Sequence, residues 1–143
     1  AWQSGTIGSL NYMQAAFPYM KEQHEGRIIN FASATGMFGI AGQLAYGSNK
    51  EALRGLTKIA AKEWGQYGIC VNVVLPGAES PAAKAWAEKF PEEYQKQVML
   101  NPMHRFGDPE DDIAPVVAFL AGPDSCYYSG QSVIVDGANS IMP

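Results

Sequence analysis

Three short apolar runs, residues 27–32, 69–75 and 131–135, are separated by longer stretches whose apolar residues recur every three or four positions. This alternation constrains the chain more than any other feature. The short runs fit buried strands and the periodic stretches fit helices. Strands joined through helices need crossover connections, which impose parallel pairing. The expected architecture is therefore α/β, an open parallel sheet with helices on both faces. In such sheets ligands sit beyond the carboxyl ends of the strands.

Ile7, Leu10, Met13, Phe17 and Met20 form a helical stripe over residues 4–23, and Gly26 stops it. After the first strand, residues 33–43 read as a glycine-containing loop. Leu53, Leu56, Ile59, Ala60 and Trp64 then lie along one side of a helix over residues 44–67, with Gly68 as a stop signal. Pro76-Gly77 ends the second strand. Residues 78–106 hold Pro81, Pro91 and Pro102 among short helical pieces at 82–90 and 92–100, and read as a substrate-side lid or insertion. Asp108-Pro109-Glu110-Asp111 opens a helix reaching about residue 121: a cap residue, a proline in the first turn, and acids favoured by the helix dipole. Residues 1–143 together read as a single, partial domain without internal repeats.

The bulk composition removes several function classes. A net charge of −4, with three Arg and seven Lys scattered along the chain, gives no basic stripe for nucleic acid. No apolar run approaches the length that spans a bilayer, and the first residues lack the pattern of a signal peptide, so a cytoplasmic location is expected. Cys70 and Cys126 read as free thiols of a reducing compartment. With His24 and His104 far from both, no metal site is expected.

The chemistry is concentrated in one stretch. Ser33 follows the apolar run Ile28-Ile29-Asn30-Phe31-Ala32, Tyr46 lies thirteen residues on, and Lys50 four after that. A Tyr four residues before a Lys arises by chance in about one chain in three of this composition. Its position, opening a helix after a strand that ends in a serine, gives it weight. A phenol ionises near pH 10, so acid/base work near neutrality requires its anion to be stabilised by about 4 kcal/mol. One ammonium about 4 Å away at an effective dielectric of about 20 contributes that order of energy. A lysine at i+4 shares the helical face and can reach. A serine hydroxyl can hold the substrate oxygen and stabilise charge developing on it.

These residues resemble the short-chain dehydrogenase/reductase family, whose signature is a serine, a tyrosine thirteen on, and a lysine four further. The resemblance extends through Asn30-Phe31-Ala32-Ser33, Val71-Asn72-Val73-Val74-Leu75-Pro76-Gly77, Arg105-Phe106-Gly107-Asp108-Pro109-Glu110, Phe119-Leu120, Ser129-Gly130-Gln131 and Val135-Asp136-Gly137. It implies a Rossmann-like sheet, of which this chain carries the later strands and helices. It implies an NAD- or NADP-dependent oxidoreductase interconverting a secondary alcohol and a ketone. Tyr46 would be the general acid/base, Lys50 would lower its pKa and bind the nicotinamide ribose, and Ser33 would position the substrate oxygen. Gly77, Ala78 and Glu79 would meet the cofactor carboxamide through backbone groups, with Ser80 as a hydroxyl partner one residue short of the commonest threonine spacing.

Within the family, Phe31-Ala32-Ser33-Ala34-Thr35-Gly36-Met37-Phe38-Gly39, with Lys50-Glu51 and residues 60–64, is similar to bacterial hydroxysteroid dehydrogenases acting on bile acids. The apolar loop and the lid over residues 82–103 suit a bulky apolar alcohol or ketone.

Three positions depart from the family pattern. Gly5 stands where relatives often carry an asparagine, and Asn11, about 240° away around the helix, cannot replace it. The water-linked proton relay of relatives is therefore not implied here. His104 replaces a common glycine and reads as a solvent-facing loop residue; Ala138 replaces another. Gly36, Gly39 and Gly42 follow the serine without opening a helix immediately, and read as loop on the substrate side. Relatives begin with a glycine-rich phosphate-binding turn that has no counterpart in this sequence. The expectation is a missing N-terminal half or a complementary chain, an unpaired edge on the first strand, and little activity from these residues alone. The first two long helices would form the contact of a homodimer or homotetramer. The alternative function is a non-catalytic binding or regulatory protein that keeps the fold.

Overall fold

The computed structural model describes residues 2–141. Its centre is β2 (Ile69–Pro76), flanked by β1 (Gly26–Phe31) and β3 (Ser132–Val135) in the order β1-β2-β3. Both pairings are parallel, running from Gly26↔Ile69 to Phe31↔Val74 and from Val73↔Ser132 to Pro76↔Val135. The Ile-Cys-Val-Asn-Val-Val-Leu run of β2 is buried throughout, as a parallel strand covered on both faces must be. β1 has β2 as its strand partner among the described residues, so its outer side is an edge of the sheet.

The period-2 alternation of β2 divides the core. Ile69 and Val71 pack with Met13 of α1 (Gly8–Gln23) and Ala60 of α3 (Leu44–Trp64); Val73 and Leu75 pack with Leu53 of α3 and Ala32. Val74 points the other way, toward Ile113 and Leu120 of α6 (Ala114–Ala121) and the π-turn before it. Phe17 stacks on Trp64 with ring centroids 4.6 Å apart, which closes the α1/α3 side. No helix among the described residues is long and apolar enough to cross a membrane.

Most elements fall where the hydrophobic pattern puts them; one does not. Residues 33–43, expected as a loop, contain α2 (Ala34–Phe38), a short helix begun by Ser33 itself. A five-residue helix has too few turns to show a 3.6-residue stripe, and its residues Ala-Thr-Gly-Met-Phe carry no strong propensity. Gly36, expected as loop, therefore lies inside α2, with Gly39 as its C-cap and Gly42 in the turn before α3. α1 is preceded by a π-turn over Gln3–Ile7, and residues 78–106, expected as a lid or insertion, contain α4 (Pro81–Lys89) and α5 (Pro91–Leu100). Cys70 and Cys126 are free thiols; the Cys70 Sγ–H donates to the Cys126 carbonyl at 3.2 Å. Ala138 has φ +65°, the left-handed region in which a Cβ is disfavoured.

Candidate active site

The first turns of α3 carry Tyr46 and Lys50 on one face. The Lys50 ammonium lies 5.7 Å from the centroid of the Tyr46 ring and donates to the main-chain carbonyl of Phe31, the last residue of β1, at 2.9 Å. Burial pulls the Lys50 ammonium below the usual lysine range. Two of its three protons remain for other acceptors after the Phe31 bond. Tyr46 is 43% exposed, so its ring is open to a ligand.

Ser33 lies two residues beyond Phe31. Its Oγ accepts from Thr35 N–H at 3.2 Å as the cap of α2, which leaves its hydroxyl proton to be donated elsewhere. α2 lies directly against the start of α3. A Cβ at Gly36 would stand 2.7 Å from the Gly47 carbonyl oxygen and 2.8 Å from Glu51 N, so a side chain at 36 would push the serine segment away from the Tyr46 helix. Beside this contact is a recess of about 160 Å³ lined by residues that include Thr35, Gly39, Ile40 and Leu44.

The turn after β2 is more committed than the sequence suggests. Gly77 N–H donates to the Val135 carbonyl at 2.8 Å and its carbonyl accepts from Gly107 N–H at 2.9 Å; Glu79 N–H donates to the Gly107 carbonyl at 2.9 Å. Ser80 N–H donates to the Ala78 carbonyl at 3.0 Å, and Ser80 Oγ caps α4 by accepting from Ala83 N–H at 3.2 Å. The donors this turn can offer a ligand are therefore the Ala78 amide and the Ser80 hydroxyl proton. Glu79, expected to act through its backbone, uses its side chain: the Tyr94 hydroxyl donates to it, and Lys84 Nζ lies 3.8 Å from it. The hydrogen bond to Glu79 raises the Tyr94 phenol to about 12, because ionising it would place two anions together.

The structure thus gathers Ser33, Tyr46 and Lys50 around the end of β1, and Gly77 to Ser80 at the end of the neighbouring strand. Sequence reasoning missed what holds α3 against them. Asn49 bonds Thr6; Arg54, paired with Glu51, donates through Nε to Ser132 Oγ at 3.0 Å; and Asn30 Nδ2 donates to Thr57 Oγ1 at 3.0 Å. These residues ride on a helix otherwise read by its apolar stripe. Their signal was the presence of Asn, Arg and Thr on or beside that stripe, at positions 49, 54 and 57.

The family model described as enoyl-(acyl carrier protein) reductase matches residues 2–138. The chain belongs to the short-chain dehydrogenase/reductase family. Among its relatives in this family, the 12alpha-hydroxysteroid dehydrogenase of a Clostridium species is 43% identical over 140 residues, which are 98% of this chain and 54% of that protein. A 3-oxoacyl-(acyl-carrier-protein) reductase of Thermotoga maritima is 39% identical over 132 residues, 91% of this chain and 52% of the relative. Among solved short-chain dehydrogenase/reductase folds, ElxO with NADP bound superposes with a TM-score of 0.85 at 30% identity, over 93% of this chain and 54% of that one. The chain spans about half the length of the curated relatives it matches.

Proposed function

We propose that this chain forms the catalytic and substrate-side part of an NAD- or NADP-dependent oxidoreductase that interconverts a secondary alcohol and a ketone. The observation that carries this reading is the Lys50 ammonium, seated between the Phe31 carbonyl and the Tyr46 ring. An ammonium in that place sets a positive charge beside the Tyr46 ring, whose Oη would pass the proton. Ser33 donates its hydroxyl proton to the substrate oxygen, fixes it beside Tyr46, and stabilises the negative charge that grows there during ketone reduction.

The donor set fits a nicotinamide nucleotide. Two protons of Lys50 remain for ribose hydroxyls, and the Ala78 amide and Ser80 hydroxyl proton, which the bonds of the turn do not use, would serve a carboxamide. When bound, the nicotinamide supplies or accepts the hydride. The residues here orient the substrate, hold the proton at Tyr46 Oη and release it to the alkoxide.

A bulky apolar substrate is favoured by the exposed Phe38, Ile40 and Leu44 near the recess, together with the aromatic contacts of Trp86, Tyr94 and Phe106 in the lid. Hydroxysteroids are the first class to test, given the 43% identity to the clostridial enzyme. Exposed Tyr12, Tyr19 and Ile59 on α1 and α3 support a homodimer or homotetramer built on those helices. The remainder of the nucleotide site would come from an N-terminal half or a complementary chain packed along β1.

The test uses the full-length protein that carries this chain, with NADH or NADPH and a panel comprising an oxosteroid and a 3-oxoacyl thioester. Loss of reduced-cofactor absorbance with one of them, lowered at least about a hundredfold by Tyr46→Phe with unchanged thermal stability, is expected. Cofactor binding without turnover of any ketone would favour a binding protein and overturn the reading.

A further inference from the structure

Asn49 immediately precedes Lys50 and lies three residues after Tyr46, so all three stand on the first two turns of α3. Its side chain has no bulk solvent around it: the residue is 3% exposed, and its partner Thr6 is 7% exposed. Thr6 N–H donates to Asn49 Oδ1 at 2.9 Å. The Thr6 hydroxyl is in donating reach of that same oxygen and of the Asn49 main-chain carbonyl, the latter at 3.0 Å. Thr6 belongs to the π-turn that leads into α1, so this contact joins the start of one helix to the first turns of the other.

The neighbouring Gly5 is shaped around the same amide. A Cβ at position 5 would stand 2.3 Å from Asn49 Nδ2 and 2.8 Å from its Cγ. A side chain at 5 and the amide of Asn49 exclude each other. The absence of a side chain at position 5 thus leaves the space that the Asn49 amide fills from the facing helix.

We propose that Asn49, through Thr6, is a positioning residue that sets the register of the first turns of α3 and so places Lys50 and Tyr46 for proton transfer. Lys50 reaches back to Phe31 on one side while Asn49 is held by Thr6 about 100° around the helix. Two anchors at adjacent residues in different directions fix both the rotation and the height of the helix at this point. Releasing the Asn49 anchor removes one of these two directions of constraint. The inference rests on the catalytic reading of Tyr46 and Lys50 given above.

The experiment compares Asn49→Ala, Asn49→Ala/Gly5→Asn, Gly5→Asn and Tyr46→Phe in the full-length protein, using NADPH or NADH and the ketone it turns over. Asn49→Ala is expected to lower kcat about tenfold to a hundredfold with KM for the ketone within about twofold, since small misplacements of reacting groups carry costs of that size. The double variant, supplying an amide from the opposite helix into the vacated space, is expected to recover most of that loss. Gly5→Asn with Asn49 still present is expected to be impaired. Should Asn49→Ala fail to fold, Thr6→Val keeps the side-chain volume and the main-chain N–H bond to Asn49, removes the hydroxyl, and is expected to lower kcat in the same direction by a smaller factor. If Tyr46→Phe is inactive while Asn49→Ala and Thr6→Val keep wild-type kcat, the positioning role is overturned and the catalytic reading stands. If Tyr46→Phe is fully active, both fall.

Discussion

The β2/α3 platform and the lid of α4 and α5 differ in what holds them. β2 is buried along its length between layers on both sides, and α3 is pinned by Asn49 to the turn before α1, by Lys50 and Thr57 to β1, and by Arg54 to β3. The lid contributes Val98 and Asn101 to the buried interior and is otherwise fastened by polar and aromatic side chains at its margins: Tyr94 on Glu79, Trp86 and Phe106 on Tyr94, and Asn101 on the Asp136 carbonyl. The contrast teaches where rigidity is placed. Ser33, Tyr46 and Lys50, the groups proposed to move the proton, sit on or beside the platform, while the α4–α5 segment proposed to face the substrate is attached by contacts that can be broken singly.

The sharpest way to break this comparison is a pair of truncations. Leu75→Ala removes a 1% exposed side chain from the platform and is expected to cost about 3 kcal/mol of global stability. Val98→Ala in the lid is expected to cost about 1.5 kcal/mol and to act on local opening more than on the main thermal transition. Equal effects on the main transition, followed by calorimetry with hydrogen exchange over α5, would show that lid and platform unfold as one body.

A finer probe is Tyr94→Phe, which deletes the hydroxyl bonded to Glu79. With its phenol raised to about 12, Tyr94 contributes stability that is fully present below the unfolded value of about 10 and is lost as pH rises to about 12. The wild type is therefore expected to lose lid protection over that alkaline interval, and Tyr94→Phe to show lower protection at neutral pH and no such loss. Hydrogen exchange of α4 and α5 across pH, with phenolate absorbance as the titration marker, makes the measurement.

The smallest effect is expected at the base of the lid. Asp112 receives a hydrogen bond from Arg105 and another from Asp108 N–H, and the first of these chiefly holds its carboxyl down to about 2. A depressed carboxylate contributes stability above its unfolded value of about 3.9 that disappears as pH falls to about 2. Asp112→Asn is expected to lower the thermal midpoint slightly at neutral pH and to match the wild type near pH 2. A difference independent of pH would assign the effect to packing rather than to charge.

The sheet was legible because its code is redundant: the continuous apolar run of β2 and the helical stripe of α3 each specify their element and its buried face. The serine, tyrosine and lysine were legible as types at a spacing. What the spacing does not encode is the Phe31 carbonyl as the seat of the ammonium, because a main-chain acceptor carries no letter of its own. α2 was missed because five residues hold no full helical period, and Asn49 because an amide beside an apolar stripe reads the same whether it faces water or Thr6. The two short helices were found to within one residue from Pro81 and Pro91, whereas the Glu79–Tyr94 contact leaves no local pattern.

The Lys50 ammonium leans on a peptide oxygen of β1, and no neighbouring side-chain replacement deletes that acceptor. The recess and the α4–α5 segment can therefore vary in sequence while the seat of the ammonium is inherited intact with the backbone. What would displace it is a slip of β1 against β2, which ties the position of this charge to the register of that strand pair.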